Sequence, residues 1–311
     1  MDLPSGHEST HIKITLNYPV KTFEGIEVLP AGAELTPELM DEVAAYGRRT
    51  EHEQKSLLEF ESVRNDLTLF LKVPPYNKFF INEEHIQELY DIMDRILLPS
   101  PVLETLQYFK RHDFYTYQHI LVVMAISVAI ARDHSLEPGK IDEVALAGTT
   151  HNIGKICTPV EILKKKTPLT KEERDIIDHH MAAGYVLLSH YLGDTGSLAA
   201  RAARDHHERN DGSGGPCGIC QTDPLVEIIA VSDIYDALIS PRSYRPVSFD
   251  NRSAIEILTN MAESGKIQWE PVKAIVARNR SPYVPYNETV ISNDKRGTTP
   301  PGNIYDTTAD K

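Results

Sequence analysis

The sequence contains little cysteine and no recognisable export signal. Its 311 residues include only Cys157, Cys217 and Cys220, an odd number that excludes a disulfide framework and favours a reducing compartment. The first ten residues, MDLPSGHEST, have neither a basic region nor an apolar run, so a secretory signal is not expected. The most apolar segment, Ile120 to Ala131, is too short to cross a bilayer. We therefore expect a cytoplasmic protein without a membrane span.

Positive charge is also scarce. The chain has 32 Lys and Arg against 45 Asp and Glu, a formal net charge of −13. Such a surface does not attract a nucleic-acid backbone, and DNA binding is not expected. An anionic small ligand would require metal ions or local basic residues that reverse the field within a site. The content of 41% hydrophobic and 25% charged residues is typical of a globular protein.

Residues 1–80 have mixed patterning, and we expect a small α+β domain there, of unassigned role. His11–Leu16 alternates between polar and apolar residues, which predicts a short strand. Thr36 followed by Pro37 is typical of a helix start.

Residues 81–280 have helical periodicity almost throughout, which predicts a mainly α protein with a multi-helix bundle after the α+β segment. The first apolar stripe consists of Ile86, Leu89, Tyr90, Met93, Ile96 and Leu97. Further helices are predicted at about 101–111, 115–133, 138–150, 170–192, 195–208, 224–239, 250–263 and 270–279. Residues 281–311 are polar and rich in proline and glycine, so a flexible tail is expected.

Histidines are distributed over these helices in a pattern typical of a metal site. The candidate ligands are His119, His151, His180, His206, His207 and Asp233. A single buried histidine is more often a hydrogen-bonded core residue. Donors from five helices instead indicate a centre of the kind that helical bundles build from facing helices. Mixed imidazole and carboxylate ligands suit Fe, Mn or Zn, and two neighbouring ions would activate water against a phosphate.

Five motifs in order carry a resemblance to a known family. They include HNIGKICTPVEILKKKTPLTKEE, HMAAG, HHERNDGSGGP and VSDIYDALISPRSYRP. From about residue 105 to residue 262 the chain resembles the HD-GYP family, the bacterial cyclic-di-GMP phosphodiesterases of the HD superfamily. The resemblance implies an HD-type helical bundle that holds two divalent ions, Fe first, with Mn or another transition metal as alternatives.

The resemblance also implies roles for individual residues. Lys155 and Asn152 would be catalytic, and the substrate-binding positions would be Arg242, Arg245, Asp236 and Gly215. The implied metal ligands are His151, Asn152, His180, His206, His207 and Asp233, with His119 either a ligand or a lining residue. Family members with a third ion have glutamate where this chain has Tyr115, which favours a binuclear site.

The sequence departs from the family pattern at two positions. Asn152 stands where the family has the bridging aspartate of HD, so we expect weaker metal binding; whether Asn152 is natural or engineered is open. Gly215 stands where the GYP motif has tyrosine, which would open the pocket and loosen substrate discrimination. Gly212, Gly214 and Gly215 are expected to permit a tight, partly left-handed turn.

These observations lead to one leading hypothesis and two alternatives. The leading hypothesis is a metal-dependent phosphodiesterase that hydrolyses cyclic-di-GMP or a related nucleotide, with activity reduced by Asn152 and Gly215. The first alternative is a catalytically impaired regulator of cyclic-di-GMP signalling that binds a nucleotide or a partner such as a diguanylate cyclase (GGDEF) domain. The second is hydrolysis of another phosphoester. The oligomeric state is not assigned.

Two further features have ordinary explanations beside functional ones. The CGIC segment from Cys217 to Cys220 is either incidental or a redox-sensitive loop, since no second pair of cysteines accompanies it. Lys164–Lys166 is either a solvated loop or an attractor of anions.

Overall fold

The structure is a computed structural model that describes residues 14–59, 61–241, 248–292 and 294–301. Helices dominate it, which confirms the mainly α prediction. The first helices are α1 (Pro37–Gly47), α2 (Glu61–Lys72), α3 (Glu83–Arg95), α4 (Ser100–His112), α5 (Phe114–Asp133) and α6 (Pro138–Thr150). They are followed by α7 (Val160–Leu163), α8 (Lys171–Asp178), α9 (His180–Leu192), α10 (Leu198–Asp205), α11 (Pro224–Ile239), α12 (Asn251–Glu263) and α13 (Trp269–Arg278).

Short strands and 3-10 turns complete the described part of the chain. The strands β1 (Val20–Lys21) and β2 (Glu27–Leu29) pair antiparallel, and so do β3 (Gln54–Ser56) and β4 (Leu97–Pro99). The 3-10 turns are Leu57–Glu59, Tyr76–Lys78, Ile153–Cys157 and Tyr286–Glu288. Of the predicted strand His11–Leu16, residues 11–13 lie outside the described residues. The rest forms only an isolated bridge, from Thr15 to Glu34.

Helix α5 is the centre of the core. Its residues from His119 to Ala131 are all buried, as expected of a helix that is apolar on every side. The helix has 20 residues and by length and composition is a candidate membrane span, but 83% of its apolar window is buried inside the protein. The apolar segment from Ile120 to Ala131 is only part of this helix. The rest of the helix includes the first candidate ligand, His119. Its burial is that of a core helix.

Most predicted helices occur, with three differences at their ends. The segment 170–192 forms two helices, α8 and α9, rather than one. Helix α10 is shorter at both ends than the predicted 195–208. Ser197 caps its start by accepting a hydrogen bond from the Ala200 amide at 3.2 Å, and the helix ends at Asp205. Helix α3 ends at Arg95, since Ile96 has an extended backbone, and Leu97 is 54% exposed on β4 instead of extending the apolar stripe.

The N-terminal segment contacts the helical body. A Cβ on Gly47 of α1 would lie 1.7 Å from the carbonyl oxygen of His190 in α9, so the two helices meet closely there. The Phe23 amide donates to the Tyr191 hydroxyl at 3.3 Å, and β3 pairs with β4 across residue 80. Residues before and after residue 80 belong to one hydrophobic core. A domain boundary at residue 80 stays a prediction.

Part of the predicted tail lies against α12. The amide of Gly297 donates to Glu256 at 2.6 Å, and the amide of Thr298 donates to Ser253 at 3.2 Å. Lys295 donates to Thr259 at 2.8 Å. These described residues therefore have fixed partners, and residues 302–311 lie outside the described part.

Candidate metal centre

The candidate ligands lie at the ends of three helices and within two others. His151 follows α6, His180 begins α9, and His206 follows α10. His119 lies within α5 and Asp233 within α11. Between His151 and His180 the backbone packs closely against α9. A Cβ on Gly154 would lie 2.0 Å from the carbonyl oxygen of His180.

The first group of donors consists of His119, His151 and Asp233. All three side chains are buried, and their candidate ligand atoms lie within 4.8 Å of one another. Nε2 of His119 is 2.9 Å from Oδ1 of Asp233, and Nε2 of His151 is 3.9 Å from the same oxygen. Asp233 thus faces two imidazoles with a single carboxylate oxygen. We name this group the carboxylate cluster.

The second group consists of His180, His206 and His207, with ligand atoms that also lie within 4.8 Å of one another. Nε2 of His180 is 3.3 Å from Nε2 of His206. The ring centroids of His206 and His207 are 4.2 Å apart. We name this group the imidazole cluster. It adjoins the carboxylate cluster, since the ring centroids of His151 and His206 are 5.2 Å apart.

Backbone carbonyls fix the orientation of three imidazoles. Nδ1 lies 2.8 Å from the Gly148 oxygen in His151, 2.6 Å from the Ile177 oxygen in His180 and 2.8 Å from the Ala202 oxygen in His206. A carbonyl only accepts, so Nδ1 carries the proton and the Nε2 lone pair points inward. Metal-binding histidines have this arrangement. Two inward lone pairs 3.3 Å apart in His180 and His206 fit a shared cation, and the residues present therefore fit a metal site.

Asn152 belongs to the same site. Its Nδ2 lies 2.6 Å from Nε2 of His151, so the amide donates to the lone pair that would bind a metal. Its Oδ1 is buried and has no hydrogen-bond partner within the described residues. A buried acceptor without a partner is costly unless a ligand satisfies it. Oδ1 is therefore available as a metal donor, whereas Nδ2 competes with metal binding at His151.

Burial and mutual repulsion keep the imidazoles neutral. Burial, followed by the neighbouring His206, holds the pKa of His151 well below its ordinary value. Burial lowers the pKa of His206 to about 4. Burial and His207, followed by Lys155, hold the pKa of His180 well below its usual range. Neutral imidazoles are the form that binds metal.

His119 behaves differently, because carboxylates lie on both sides of its ring. Nδ1 is 2.6 Å from Oδ2 of Asp236, and Nε2 faces Asp233. Burial opposes protonation, but the hydrogen bonds to these two carboxylates outweigh it and raise the pKa of His119. Burial likewise opposes ionisation of Asp233, and the contact with His119 outweighs it, which holds the pKa of Asp233 well below its usual range. Each of the two groups thus favours the charged form of the other.

These shifts predict an acid-labile metal-free protein. Histidines with lowered native pKa values take up protons more readily in the unfolded chain than in the folded one. The free energy of unfolding therefore decreases as the pH falls below about 6.5. Between pH 7 and pH 5.5 we expect a loss of about 1 kcal/mol for each of His151, His180 and His206. The raised pKa of His119 acts in the opposite direction and offsets part of this loss. Thermal unfolding of chelator-treated protein at both pH values measures the change; equal melting temperatures would contradict it.

The remaining predicted site residues are distributed around the two clusters. Lys155 is half-buried in the turn Ile153–Cys157, and its charge lowers the pKa values of His180, His206 and His207, where burial is the main cause. Asp236 is fully buried behind His119 rather than facing a pocket. Arg242 and Arg245 lie outside the described residues.

The loop after His207 is anchored by a residue that the sequence analysis missed. Glu208 is buried, and its carboxylate accepts hydrogen bonds from the amides of Cys217 at 2.6 Å and Ile219 at 3.0 Å. The amide of Gly215 donates to the His207 carbonyl at 3.2 Å. Glu208 directly follows the double histidine, and this adjacency is the only signal of its role in the sequence.

The loop glycines have different functions. Gly212 has a φ of +76°, which confirms a left-handed turn. At Gly214 a Cβ would lie 2.3 Å from the Arg209 amide nitrogen, so close approach requires glycine. Gly215 has neither constraint, because a Cβ there would meet nothing within 4 Å. The turn therefore does not depend on glycine at this position, and a side chain fits there.

The Cys217 thiol of the CGIC segment has little thiolate character. Cys217 is half-buried, and burial raises the pKa of its thiol to about 11. Reactive cysteines have lowered pKa values, so the structure favours the incidental interpretation of this motif. Lys165 pairs with Glu173, which agrees with an ordinary loop at Lys164–Lys166.

Comparison with known proteins places the chain in a family. It is 34% identical over 186 residues to the cyclic di-GMP phosphodiesterase PA4108 of Pseudomonas aeruginosa, covering 59% of this chain and 44% of the relative. It is 29% identical over 211 residues to the 3'3'-cGAMP-specific phosphodiesterase 1 of Vibrio cholerae, covering 67% of this chain and 46% of the relative. The chain thus spans less than half the length of either relative.

A solved structure shows a weaker likeness. Bd1817, a HDG"Y"P protein from Bdellovibrio bacteriovorus, aligns over 84% of this chain and 94% of its own with 15% identity and a TM-score of 0.46. Residues 92–268, more than half of the chain, match the HD domain family. The chain therefore belongs to the HD domain family.

Proposed function

We propose that the protein is a metal-dependent phosphodiesterase that hydrolyses a cyclic dinucleotide at a binuclear centre. Cyclic-di-GMP is the first candidate substrate and 3'3'-cGAMP the second, because the named relatives act on these two compounds. The proposed ions are Fe, with Mn or another transition metal as alternatives.

One observation carries the proposal. Six donors form two adjacent clusters, and three of the imidazoles have Nδ1 bound to a carbonyl so that Nε2 faces the centre. In His180 and His206 the two unprotonated Nε2 atoms lie 3.3 Å apart and cannot hydrogen-bond to each other, so a shared cation is the partner that fits them. Two clusters at neighbouring positions correspond to two ions, with Asp233 and Asn152 as oxygen donors beside the imidazoles.

The residues of the site would have separate roles in this reaction. Bound divalent ions would lower the pKa of a water molecule and polarise a phosphodiester. His151, His180 and His206, whose pKa values are lowered, would hold the ions without competing for protons. Lys155 lies near the imidazole cluster, where its ammonium stabilises negative charge that develops on phosphate oxygens. Arg242 and Arg245 remain proposed phosphate-binding residues.

Turnover with defined metals tests this function. Protein purified without oxygen and loaded with Fe(II) or Mn(II) is expected to hydrolyse cyclic-di-GMP or 3'3'-cGAMP, and chelation is expected to abolish product formation. Asp233→Asn keeps the side-chain volume but removes the charge shared by two imidazoles, and we expect it to lower turnover about 100-fold. The function is excluded if the loaded native protein releases no product from either nucleotide.

A binding role without hydrolysis is favoured by one observation. The Asn152 amide donates to the His151 nitrogen that would bind a metal, and no carboxylate bridge is present at this position. A regulator that binds a nucleotide or a diguanylate cyclase (GGDEF) domain would retain the pocket and not need fast chemistry. Nucleotide binding measured by calorimetry without product formation distinguishes this candidate from the enzyme.

A further inference from the structure

A tyrosine from the N-terminal segment reaches the metal centre. Tyr76 begins the 3-10 turn between α2 and α3 and lies before the residues that match the HD domain family. Its side chain is buried, and its hydroxyl donates a hydrogen bond to Oδ1 of Asp236. Burial and the adjacent Asp236 raise the phenol pKa well above its usual range. Tyr76 is therefore a permanent hydrogen-bond donor.

Asp236 also contacts a candidate metal ligand, His119. Its second oxygen, Oδ2, lies 2.6 Å from Nδ1 of His119, and Nε2 of His119 lies 2.9 Å from Asp233. Asp236 and His119 are 0% and 2% exposed, so water does not compete for these bonds. A continuous chain of hydrogen bonds thus joins Tyr76 to the carboxylate cluster.

The turn that carries Tyr76 is itself fixed on the helical body. The Pro75 carbonyl accepts a hydrogen bond from Asn251 of α12 at 3.2 Å, and Asn251 also contacts Asn279 at 3.0 Å. The ring of Phe79 lies 6.1 Å from the ring of Tyr235, the residue before Asp236. The position of the hydroxyl is therefore determined by tertiary contacts on α11 and α12.

We propose that Tyr76 is a positioning residue for the metal centre and that the turn Tyr76–Lys78 completes the carboxylate cluster. This inference rests on the proposed metal site. Without the hydroxyl, Oδ1 of Asp236 would be a buried anionic oxygen that lacks this donor, and the carboxylate would be free to rotate. Rotation would release Nδ1 of His119 and turn Nε2 away from Asp233. Outer hydrogen bonds of this kind change metal affinity about 10-fold to 100-fold.

Movement of the turn Tyr76–Lys78 would regulate metal binding. Residues 61–80 contribute no candidate ligand, yet a displacement of their 3-10 turn would weaken metal binding at the carboxylate cluster alone. In the imidazole cluster, His180 and His206 are oriented instead by the backbone carbonyls of Ile177 in α8 and Ala202 in α10. The N-terminal segment would thus control one of two ions.

Tyr76→Phe tests the inference, with Tyr117→Phe as a matched control. The Tyr117 hydroxyl also donates from a buried ring to a carboxylate, Oδ2 of Asp66, at 2.7 Å, but that carboxylate is not in the site. Titration with Co(II), followed by its visible absorption, is expected to show one of two binding steps weakened about tenfold in Tyr76→Phe. Tyr117→Phe is expected to bind Co(II) as the native protein does. Superimposable curves for Tyr76→Phe and native protein, or equal weakening in both variants, would overturn the inference.

A second measurement separates this inference from the proposed function. In metal-free protein, ¹H–¹⁵N spectra of the histidine rings report the Nδ1–H of His119 that Asp236 holds. This signal is expected to move in Tyr76→Phe and not in Tyr117→Phe. If the native protein takes up no Co(II), the metal site is refuted, whereas an unmoved His119 signal refutes the role of Tyr76.

Discussion

Asn152→Asp is expected to raise metal affinity and turnover by about 10-fold to 100-fold. The substitution adds a negative charge beside the sites of two dications and replaces a neutral oxygen with one that can bridge them. It also removes the amide donor that lies 2.6 Å from Nε2 of His151. Two obstacles to metal binding are thus removed by one change of nearly equal volume.

The stability of this variant should depend on metal. Without ions, a buried carboxylate near Asp233 costs free energy, so the melting temperature is expected to fall below that of the native protein. With Mn(II) or Fe(II) the order is expected to reverse. Asn260→Asp is the control, because it adds the same charge at an exposed position of α12. Equal metal affinity of native protein and Asn152→Asp would show that the amide is not what limits binding.

Gly154→Ala is expected to unfold or strongly destabilise the protein, with a loss of about 3 kcal/mol or more. The added Cβ would lie 2.0 Å from the carbonyl oxygen of His180 and 2.5 Å from the amide nitrogen of Gly184. Both are backbone atoms of α9 and cannot rotate away. The turn Ile153–Cys157 would have to separate from α9, which displaces His180 from the imidazole cluster.

Gly139→Ala is the matched control for this change. Gly139 lies in the first turn of α6, is exposed, and a Cβ there would meet nothing within 4 Å. Alanine in a helix reduces the entropy of the unfolded chain, so this variant is expected to be about 0.5 kcal/mol more stable than the native protein. Thermal unfolding compares the two. A Gly154→Ala protein that melts with the native one would refute the close approach.

Helix positions could be predicted where local signals are strong. Pro224 and the preceding Asp223 define the start of α11, and Asp250 caps α12, which begins one residue after the predicted start at residue 250. The division between α8 and α9 could not be predicted. It occurs at the position where Gly154 packs against His180, and this contact joins residues distant in sequence.

The site could be predicted in composition but not in its supporting contacts. Histidines and an aspartate on several helices indicated a centre, and the structure brings these donors together; their role as ligands stays a prediction. Asp236 was assigned to substrate binding by resemblance. Its spacing of three residues from Asp233 places both on one helix face, so both carboxylates contact His119. Tyr76 gave no signal, because it follows a Pro–Pro pair and precedes the region that resembles the family.

The hydrogen bonds of Glu208 would restrict how a nucleotide enters the proposed site. They attach the segment Cys217–Ile219 to the residue that follows His206 and His207. Opening of this loop would expose the buried Glu208 carboxylate and break its hydrogen bonds with the amides of Cys217 and Ile219. In the proposed enzyme, ligand entry and product exit would therefore depend on motion elsewhere around the centre, with the segment Cys217–Ile219 held to the double histidine.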